Sequence, residues 1–358
     1  MNNRMKELIE KLEEEHSLTL EEYEYLIENR DDESRELLRE KADKVRREIY
    51  GNKIFIRGLI EIGNICKNDC LYCGIRRGNK NCMRYRLSGE DILTCCEEGY
   101  KLGFRTFVMQ GGEDAAFSDE FICDVVSEIK KRYPDCAVTL SLGERSKESY
   151  RKLFEAGADR YLLRHETADE EHYGKLHPKE LSWKNRMECL HNLKEIGFQT
   201  GCGFMVESPY QTVKHLAKDL KFVETFSPEM CGIGPFIPHE STVFRVEKAG
   251  TSELTCYLLS IIRLIKPNIL LPSTTALGTI DPQGREKGVL SGGNVVMPNL
   301  SPLAVRKKYM LYDNKISTDE EAAENLQKLK DKMKAIGYEV VTDRGDYINA
   351  KFKVQNAK

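Results

Sequence analysis

Several things are missing from this 358-residue chain, and each absence narrows what it does. There is no excess of charge: 55 Lys and Arg stand against 58 Asp and Glu, a net charge of −3, which gives no electrostatic reason to bind nucleic acid or an anionic membrane. There is no apolar run long enough to span a bilayer. The longest, Tyr257 to Ile265, is short and is interrupted by Arg263. The first residues, Met-Asn-Asn-Arg-Met-Lys-Glu, hold no hydrophobic segment of a secretory signal. Without one, the twelve Cys read as reduced thiols or metal ligands and not as a disulfide framework, so the expected location is the cytoplasm. No low-complexity segment occurs, no Cys follows Cys256, and nothing repeats beyond a strand–helix period.

What is present is organised around Cys66-Lys-Asn-Asp-Cys70-Leu-Tyr-Cys73, three thiols spaced four and three apart where an apolar run, Ile54 to Ile62, ends. A closed zinc site needs a fourth Cys or His at similar spacing, and none follows at once. A cubane iron–sulfur cluster takes four Cys, so three thiols leave one iron open for another ligand. The competing readings are incidental buried thiols and a zinc site. Neither explains why polar motifs return at the matching place in each later unit.

Residues 1–50 read as three charged amphipathic helices without chemistry. Leu8, Ile9 and Leu12 line the first; Thr19 with Glu22 forms a capping box for the second, with Leu18 as its staple. From Ile54 short apolar runs alternate with helices, the signature of βα units on a parallel sheet. Eight strands are expected, starting near Ile54, Arg105, Ala137, Arg160, Gln199, Met230, Asn268 and Asn294. Ser88, Ser118, Ser146 and Ser182 open helices between them, and others span 211–225, 252–265, 283–288 and 301–309. Gly in the Lys-Leu-Gly-Phe, Glu-Ala-Gly-Ala and Glu-Ile-Gly-Phe steps ends a helix before the next strand. The expected fold is α/β, a (β/α)8 TIM-type barrel over 51–315, with an N-terminal helical extension (1–50) and a short C-terminal helix and strand tail (316–358). Six units plus an irregular remainder is the open alternative.

In such a barrel the chemistry comes from the C-terminal ends of the strands. The strand ends here carry the Cys loop, Met109-Gln110-Gly111-Gly112-Glu113, Thr139-Leu-Ser141, Arg164-His165-Glu166-Thr167, Gly201 to Met205, Gly232 to His239, Ser273-Thr274-Thr275 and Met297-Pro298-Asn299, with Tyr309 and Tyr312 on the helix that follows. The helix-to-strand turns are almost bare. Arg164 beside Glu166 reads equally well as a structural ion pair, and His165 as a satisfied barrel histidine. Among the other Cys, only Cys202 and Cys231 are placed to see the barrel interior, so one cluster is expected.

The Cys66/Cys70/Cys73 spacing resembles the CxxxCxxC motif of the radical S-adenosylmethionine (SAM) superfamily, and Gly111-Gly112-Glu113 resembles its Gly-Gly-Glu motif. Arg164-His-Glu-Thr167, Gly232 to His239, Thr274 to Thr279 with Gly284-Arg-Glu286, and Val296 to Asn299 narrow the resemblance to the HydE family, over roughly 50–315. That resemblance implies one 4Fe-4S cluster on Cys66, Cys70 and Cys73, with the fourth iron open for SAM, and reductive cleavage to a 5′-deoxyadenosyl radical. It implies SAM contacts from Tyr72, Gln110, Gly111, Gly112, Glu113, Ser141, Glu166, Arg186, Met205 and Ile237. Arg164, Thr274, Thr275, Met297, Tyr309 and Tyr312 fall at the substrate end, with Thr139, which lies along SAM beside Ser141, counted among them. The implied substrate is a sulfur-containing, cysteine-ligated iron precursor of the hydrogenase H-cluster, and the implied partners are an electron donor such as ferredoxin or flavodoxin and other hydrogenase maturases. A monomer is expected. Where some members carry a second Cys triplet for an auxiliary cluster, the 312–321 stretch here has none. The rival readings are a methylornithine-type mutase, biotin-type sulfur insertion and, from another class, a non-catalytic iron–sulfur scaffold.

Overall fold

The computed structural model of the chain describes residues 1–316 and 322–348. The end of the tail (349–358) and residues 317–321, which close the stretch without Cys, lie outside the described residues. Three helices come first: α1 (Asn3–Glu15), α2 (Leu20–Glu28) and α3 (Asp32–Tyr50). Each has a side-chain N-cap, from Asn2, Thr19 and Asp31, and the Thr19–Glu22 capping box forms as read, with Thr19 N–H donating to the Glu22 carboxylate at 2.8 Å.

The barrel begins with β1 (Lys53–Ile56) and β2 (Gly58–Gly63), which are one run broken at Arg57. There follow α4 (Gly89–Lys101), β3 (Thr106–Gly111), α5 (Asp119–Arg132), β4 (Ala137–Ser141), α6 (Lys147–Glu155) and β5 (Arg160–Leu162). Next come α7 (Glu170–Leu176), α8 (Trp183–Ile196), β6 (Gln199–Cys202), β7 (Met205–Val206), α9 (Val213–Phe226), β8 (Met230–Cys231) and β9 (Gly234–Pro235). The chain continues through α10 (Ser252–Ile265), α11 (Thr275–Ile280), α12 (Gly284–Leu290), β10 (Val295–Val296), α13 (Leu303–Arg306), α14 (Ala322–Ala335) and β11 (Glu339–Val341). Gly103, Gly157 and Gly197 all take positive φ where a helix turns into the next strand, which only Gly adopts without strain.

β2, β3, β4, β5, β6 and β8 form one parallel sheet in that order. Single bridges then carry the pairing round: Met230 to Leu270, Pro272 to Val295, and Asn299 back to Leu59. Six strands therefore ladder continuously, and the last two units join by isolated bridges. This corrects the expected seventh strand near Asn268. Pro272 has no N–H to give a ladder, and only two positions of that segment pair. The expected helix over 301–309 is also corrected: α13 ends at Arg306, so Tyr309 and Tyr312 follow it in a loop and are not helical.

The apolar run at 257–265 is explained by its position. It lies in α10, which α1, α3 and α12 pack against, so it is buried on every side. Arg263 within it is satisfied by the carbonyls of Gly292 and Pro267 and by Asn294. Among the described residues no helix is long and apolar enough to cross a membrane.

The floor of the barrel is closed by the tail. β11 pairs in parallel with β1, Lys53 opposite Glu339. Beyond it Arg344 to Ile348 pass beneath the strands. The buried Arg160 donates to Thr106 Oγ1, Gln199 Oε1, the carbonyls of Arg344 and Gly345, and the Asp346 carboxylate at 2.6 Å. Arg344 in turn bonds Asp159 (3.0 Å) and Asp346 (2.8 Å).

Candidate active site at the strand ends

The loop after β2 carries the three cysteines and is held from within. Arg84 donates to four of its carbonyls, those of Asn64, Ile75, Arg76 and Asn79. Asp69 accepts from Arg76 and from the Gly78 N–H, both at 2.8 Å. Leu71 N–H reaches the Leu176 carbonyl, Gly74 N–H that of Leu311, and Lys67 N–H that of Glu113. These bonds tie the loop to the end of β3, the end of α7 and the loop after α13. Burial pushes all three thiols up, Cys70 far, with Cys73 beside it adding to the shift, and Cys73 to about 12. As they stand they are neutral, half-buried thiols, and a metal there must displace their protons.

Gly111 and Gly112 let β3 end against this loop. A Cβ on Gly112 would lie 2.3 Å from the Ile65 carbonyl oxygen and 2.8 Å from Cys66 Cβ. No larger residue fits there. Glu113 folds over Gly143, whose φ of +75° admits it, and accepts from the Glu144 N–H at 3.0 Å. Gln110 donates to Tyr309 Oη (3.3 Å), and Ser141 stands opposite Gln110 in the sheet register.

On the far side of the mouth Tyr72 meets His177 edge to face, and its hydroxyl donates to His177 Nε2 at 3.2 Å. His177 Nδ1–H donates to the Tyr173 carbonyl, which fixes the tautomer, and burial drives its pKa down to about 3. Leu71, Tyr72 and Met205 pack with Leu176, Phe236 and Phe244 in one apolar cluster, and Ile237 is half-buried next to Phe236. Arg186, buried on α8, donates to Glu144 (2.5 Å) and to the Arg164 carbonyl (2.6 Å).

Glu166 takes a left-handed φ of +66°, uncommon for a residue with a side chain. The strain is held by a buried relay. Gly203 N–H donates to His165 Nδ1 (3.3 Å), so Nε2 carries the proton and donates to Asp219 (3.2 Å), which also accepts from Ala168 N–H (2.6 Å). Burial holds the His165 pKa near 3 and raises that of Asp219. His165 is thus a positioning residue that aims Arg164 and Glu166. Arg164 Nη2 and Glu166 Oε2 form an ion pair at 3.1 Å without hydrogen-bond alignment, and neither they nor Arg164 Nε makes a hydrogen bond. The buried hydroxyls of Thr139 and Thr274 make none either. Buried polar groups are rarely left so, and three orphaned atoms beside a loosely aligned ion pair are donors and acceptors built for a ligand. Thr275 begins α11 beside Thr274, and Tyr312 is half-buried, its phenol pushed up to about 12 by burial. Met297 sits deeper, against Tyr50, Phe55, Met230, Leu270 and Val295.

Sequence reasoning missed three site residues. Glu61, in β2, is buried inside the barrel, paired with Lys315 and accepting from Asn299 at 3.0 Å. Its signal is a lone carboxylate in Leu59-Ile-Glu-Ile62. His177 and Asp219 act through contacts distant in sequence and leave no local signal. The expected inward view of Cys202 and Cys231 is corrected. Met230 meets Arg57 in the interior and a Cβ on Gly201 would meet Met230, so alternation turns both cysteines outward to the helices.

Comparison with known proteins decides the family. The model of the Radical SAM superfamily matches residues 60–223. The chain is 45% identical to the [FeFe] hydrogenase maturase subunit HydE of Thermotoga maritima, over 87% of this chain and 88% of that protein. It belongs to the HydE family of radical SAM enzymes. A 3-methylornithine synthase of Methanosarcina acetivorans is 29% identical over 80% of the HydE-family chain described here and 81% of its own length. Among solved structures, methylornithine synthase superposes with a TM-score of 0.81 at 24% identity, covering 97% of this chain and 99% of that one. The hydrogenase maturase HydG does so with a TM-score of 0.78 at 20% identity, covering 94% and 75%. Both show the shared fold.

Membership of the HydE family implies a 4Fe-4S cluster and SAM, and the residues present fit them. Three neutral thiols stand in one loop, a glycine pair opens space beside the first, and unpartnered polar atoms ring the adjoining cavity. Among the described residues no three His, Cys, Asp or Glu groups converge on one point as ligands of a single ion. A cubane makes a different demand, one thiolate on each of three irons.

Proposed function

We propose that this protein is a hydrogenase maturase of HydE type that cleaves SAM reductively at one cluster held by Cys66, Cys70 and Cys73. The observation that carries the reading is the ring of buried polar atoms without hydrogen bonds, on Thr139, Arg164, Glu166 and Thr274, next to three free thiols at the strand ends. When bound, the cluster and SAM supply a 5′-deoxyadenosyl radical. The protein's part is to bind, orient and keep water out. Gly111 and Gly112 offer backbone to the SAM amino group, Tyr72 and Met205 an apolar wall, Glu166 an acceptor for ribose hydroxyls, and Ser141 and Arg186 contacts along the methionine. Arg186 stays fixed by Glu144, so it meets a carboxylate with its geometry already set.

Arg164, Thr139, Thr274 and Thr275 then face the substrate, with Tyr309, Tyr312 and Met297 lining the space beyond. A cationic Arg with free N–H groups and unpartnered hydroxyls suits an anionic molecule, as a carboxylate-bearing, cysteine-ligated iron precursor of the H-cluster would be. Reduction by an electron donor of ferredoxin or flavodoxin type starts each turnover.

The test is anaerobic reconstitution with iron and sulfide, then reduction in the presence of SAM. About four irons per chain and formation of 5′-deoxyadenosine are expected. Iron bound without SAM cleavage would replace this reading with the scaffold one, and a product formed from lysine would replace it with the mutase.

A further inference from the structure

The face over the cysteine loop is unlike the rest of the surface. Two loops meet there, 67–83 and 239–248, joined where the Arg76 guanidinium donates to the Ser241 carbonyl. Large apolar side chains stand out in water on both: Met83, Val243 and Val246, the last 82% exposed, with Tyr210 edge-on to Phe244 beside them. Of the seven large apolar residues exposed among the described residues, three stand on these two loops and a fourth, Tyr210, packs against Phe244 of the second. Around them Arg77, Lys80, Arg245 and Lys248 are exposed, against Glu240 and Glu247, in a chain whose net charge is −3. A groove runs between the loops, floored by Gly78, Asn79 and Thr242. Exposed apolar groups inside a cationic rim mark a protein-binding face, and the sign of the rim calls for an acidic partner.

What lies beneath selects the partner. Arg76 N–H bonds the Cys73 carbonyl and Asp69 ties Arg76 to Gly78, so the groove wall is the same short loop that carries the cysteines. We infer that this face docks an acidic one-electron carrier protein, with the charged rim steering the encounter and Met83, Val243 and Val246 forming the contact. The inference rests on the proposed cluster at Cys66, Cys70 and Cys73. The step it serves is simple: the reduced carrier loses one electron, and the protein's cluster gains it. A small, charge-steered and short-lived contact is the type that redox partners use.

The test reads binding separately from turnover. Reduced and oxidised flavodoxin, as the acidic probe, is titrated against the reconstituted full chain, and Kd is measured in about 50 mM and about 300 mM salt. Wild-type affinity is expected to fall about tenfold across that span. The triple variant Arg77→Glu, Lys80→Glu, Arg245→Glu is expected to lose about tenfold in affinity at low salt and to keep its iron content and its dithionite-driven SAM cleavage. Val246→Ser, which leaves the charge rim in place, is expected to weaken binding severalfold by itself. Equal affinity of wild type and triple variant overturns the inference. So does a wild-type chain that dimerises at low salt, a triple variant that stays monomeric, and no change in flavodoxin affinity, because the face then belongs to a second copy. Failure of the wild type to cleave SAM even with dithionite removes the cluster reading, and is distinguishable because the binding curve does not depend on it.

Discussion

The two ends of this barrel treat arginine in opposite ways. At the floor, Arg160 is fully buried and spends its donors on Thr106, Gln199, two carbonyls and Asp346. At the mouth, Arg164 leaves Nε and Nη2 without a hydrogen bond, beside a carboxylate with which it pairs only loosely. The floor is a finished structure, and the mouth is waiting. An enzyme built on this fold separates stability from chemistry by putting them at opposite ends of the same strands. Arg57, inside the barrel, and Arg46, which reaches the Lys53 carbonyl, are exceptions near the floor, each with Nε and Nη2 making no hydrogen bond.

Substitutions can break this contrast. The largest effect is expected at the mouth: Cys70→Ala abolishes cluster reconstitution and 5′-deoxyadenosine formation, with a circular dichroism melt close to wild type. Retained SAM cleavage in that variant would end the assignment. At the floor the pattern reverses. Arg160→Ala is expected to lower stability by about 3 kcal/mol in urea titration, because a fully buried side chain is removed and Thr106, Gln199 and two carbonyls lose their donor, while SAM cleavage per folded molecule is kept. A smaller effect separates the two ends most sharply. Thr139→Val replaces an unsatisfied buried hydroxyl by a methyl group, and should stabilise the fold by about 1 kcal/mol while weakening ligand binding. If the variant is less stable, the hydroxyl has a partner in solution and is no orphan.

A further effect, on the fold alone, is a slope against pH. His172 is buried between Thr167 and Pro209, stacked on His215, and burial lowers its pKa from 6.5 to about 4. The unfolded chain takes up a proton below about 6.5 that the folded chain refuses until about 4. Stability therefore falls as pH drops through that window, by at most about 1.4 kcal/mol per pH unit from this group. Urea midpoints between pH 7 and pH 5 measure the slope, and His172→Gln should flatten it by that amount.

Much of this was legible in the residues. The helix starts were written in Ser88, Ser118, Ser146 and Ser182, all of which accept from the N–H three positions on, and the helix ends in Gly103, Gly157 and Gly197. Local chemistry decides both. The cysteines could be placed because a loop at a strand end needs no long-range knowledge. What failed depended on neighbours. The seventh unit reads as apolar as the others, yet its pairing reduces to Leu270 and Pro272. The outward direction of Cys202 and Cys231 depends on register, which one sequence does not state. The His165–Asp219 relay joins residues 54 positions apart, and neither residue is unusual where it stands.

The pairing of β1 with β11 sets an order of events. Lys53 lies opposite Glu339, so β1 cannot complete its edge until the whole barrel and β11 have been synthesised. Closing so long a loop is slow, and during that interval the apolar edge of β1 and the underside of the barrel stay uncovered. The barrel leaves the ribosome as an open vessel, and the segment from Glu339 to Ile348 is the base that seals it.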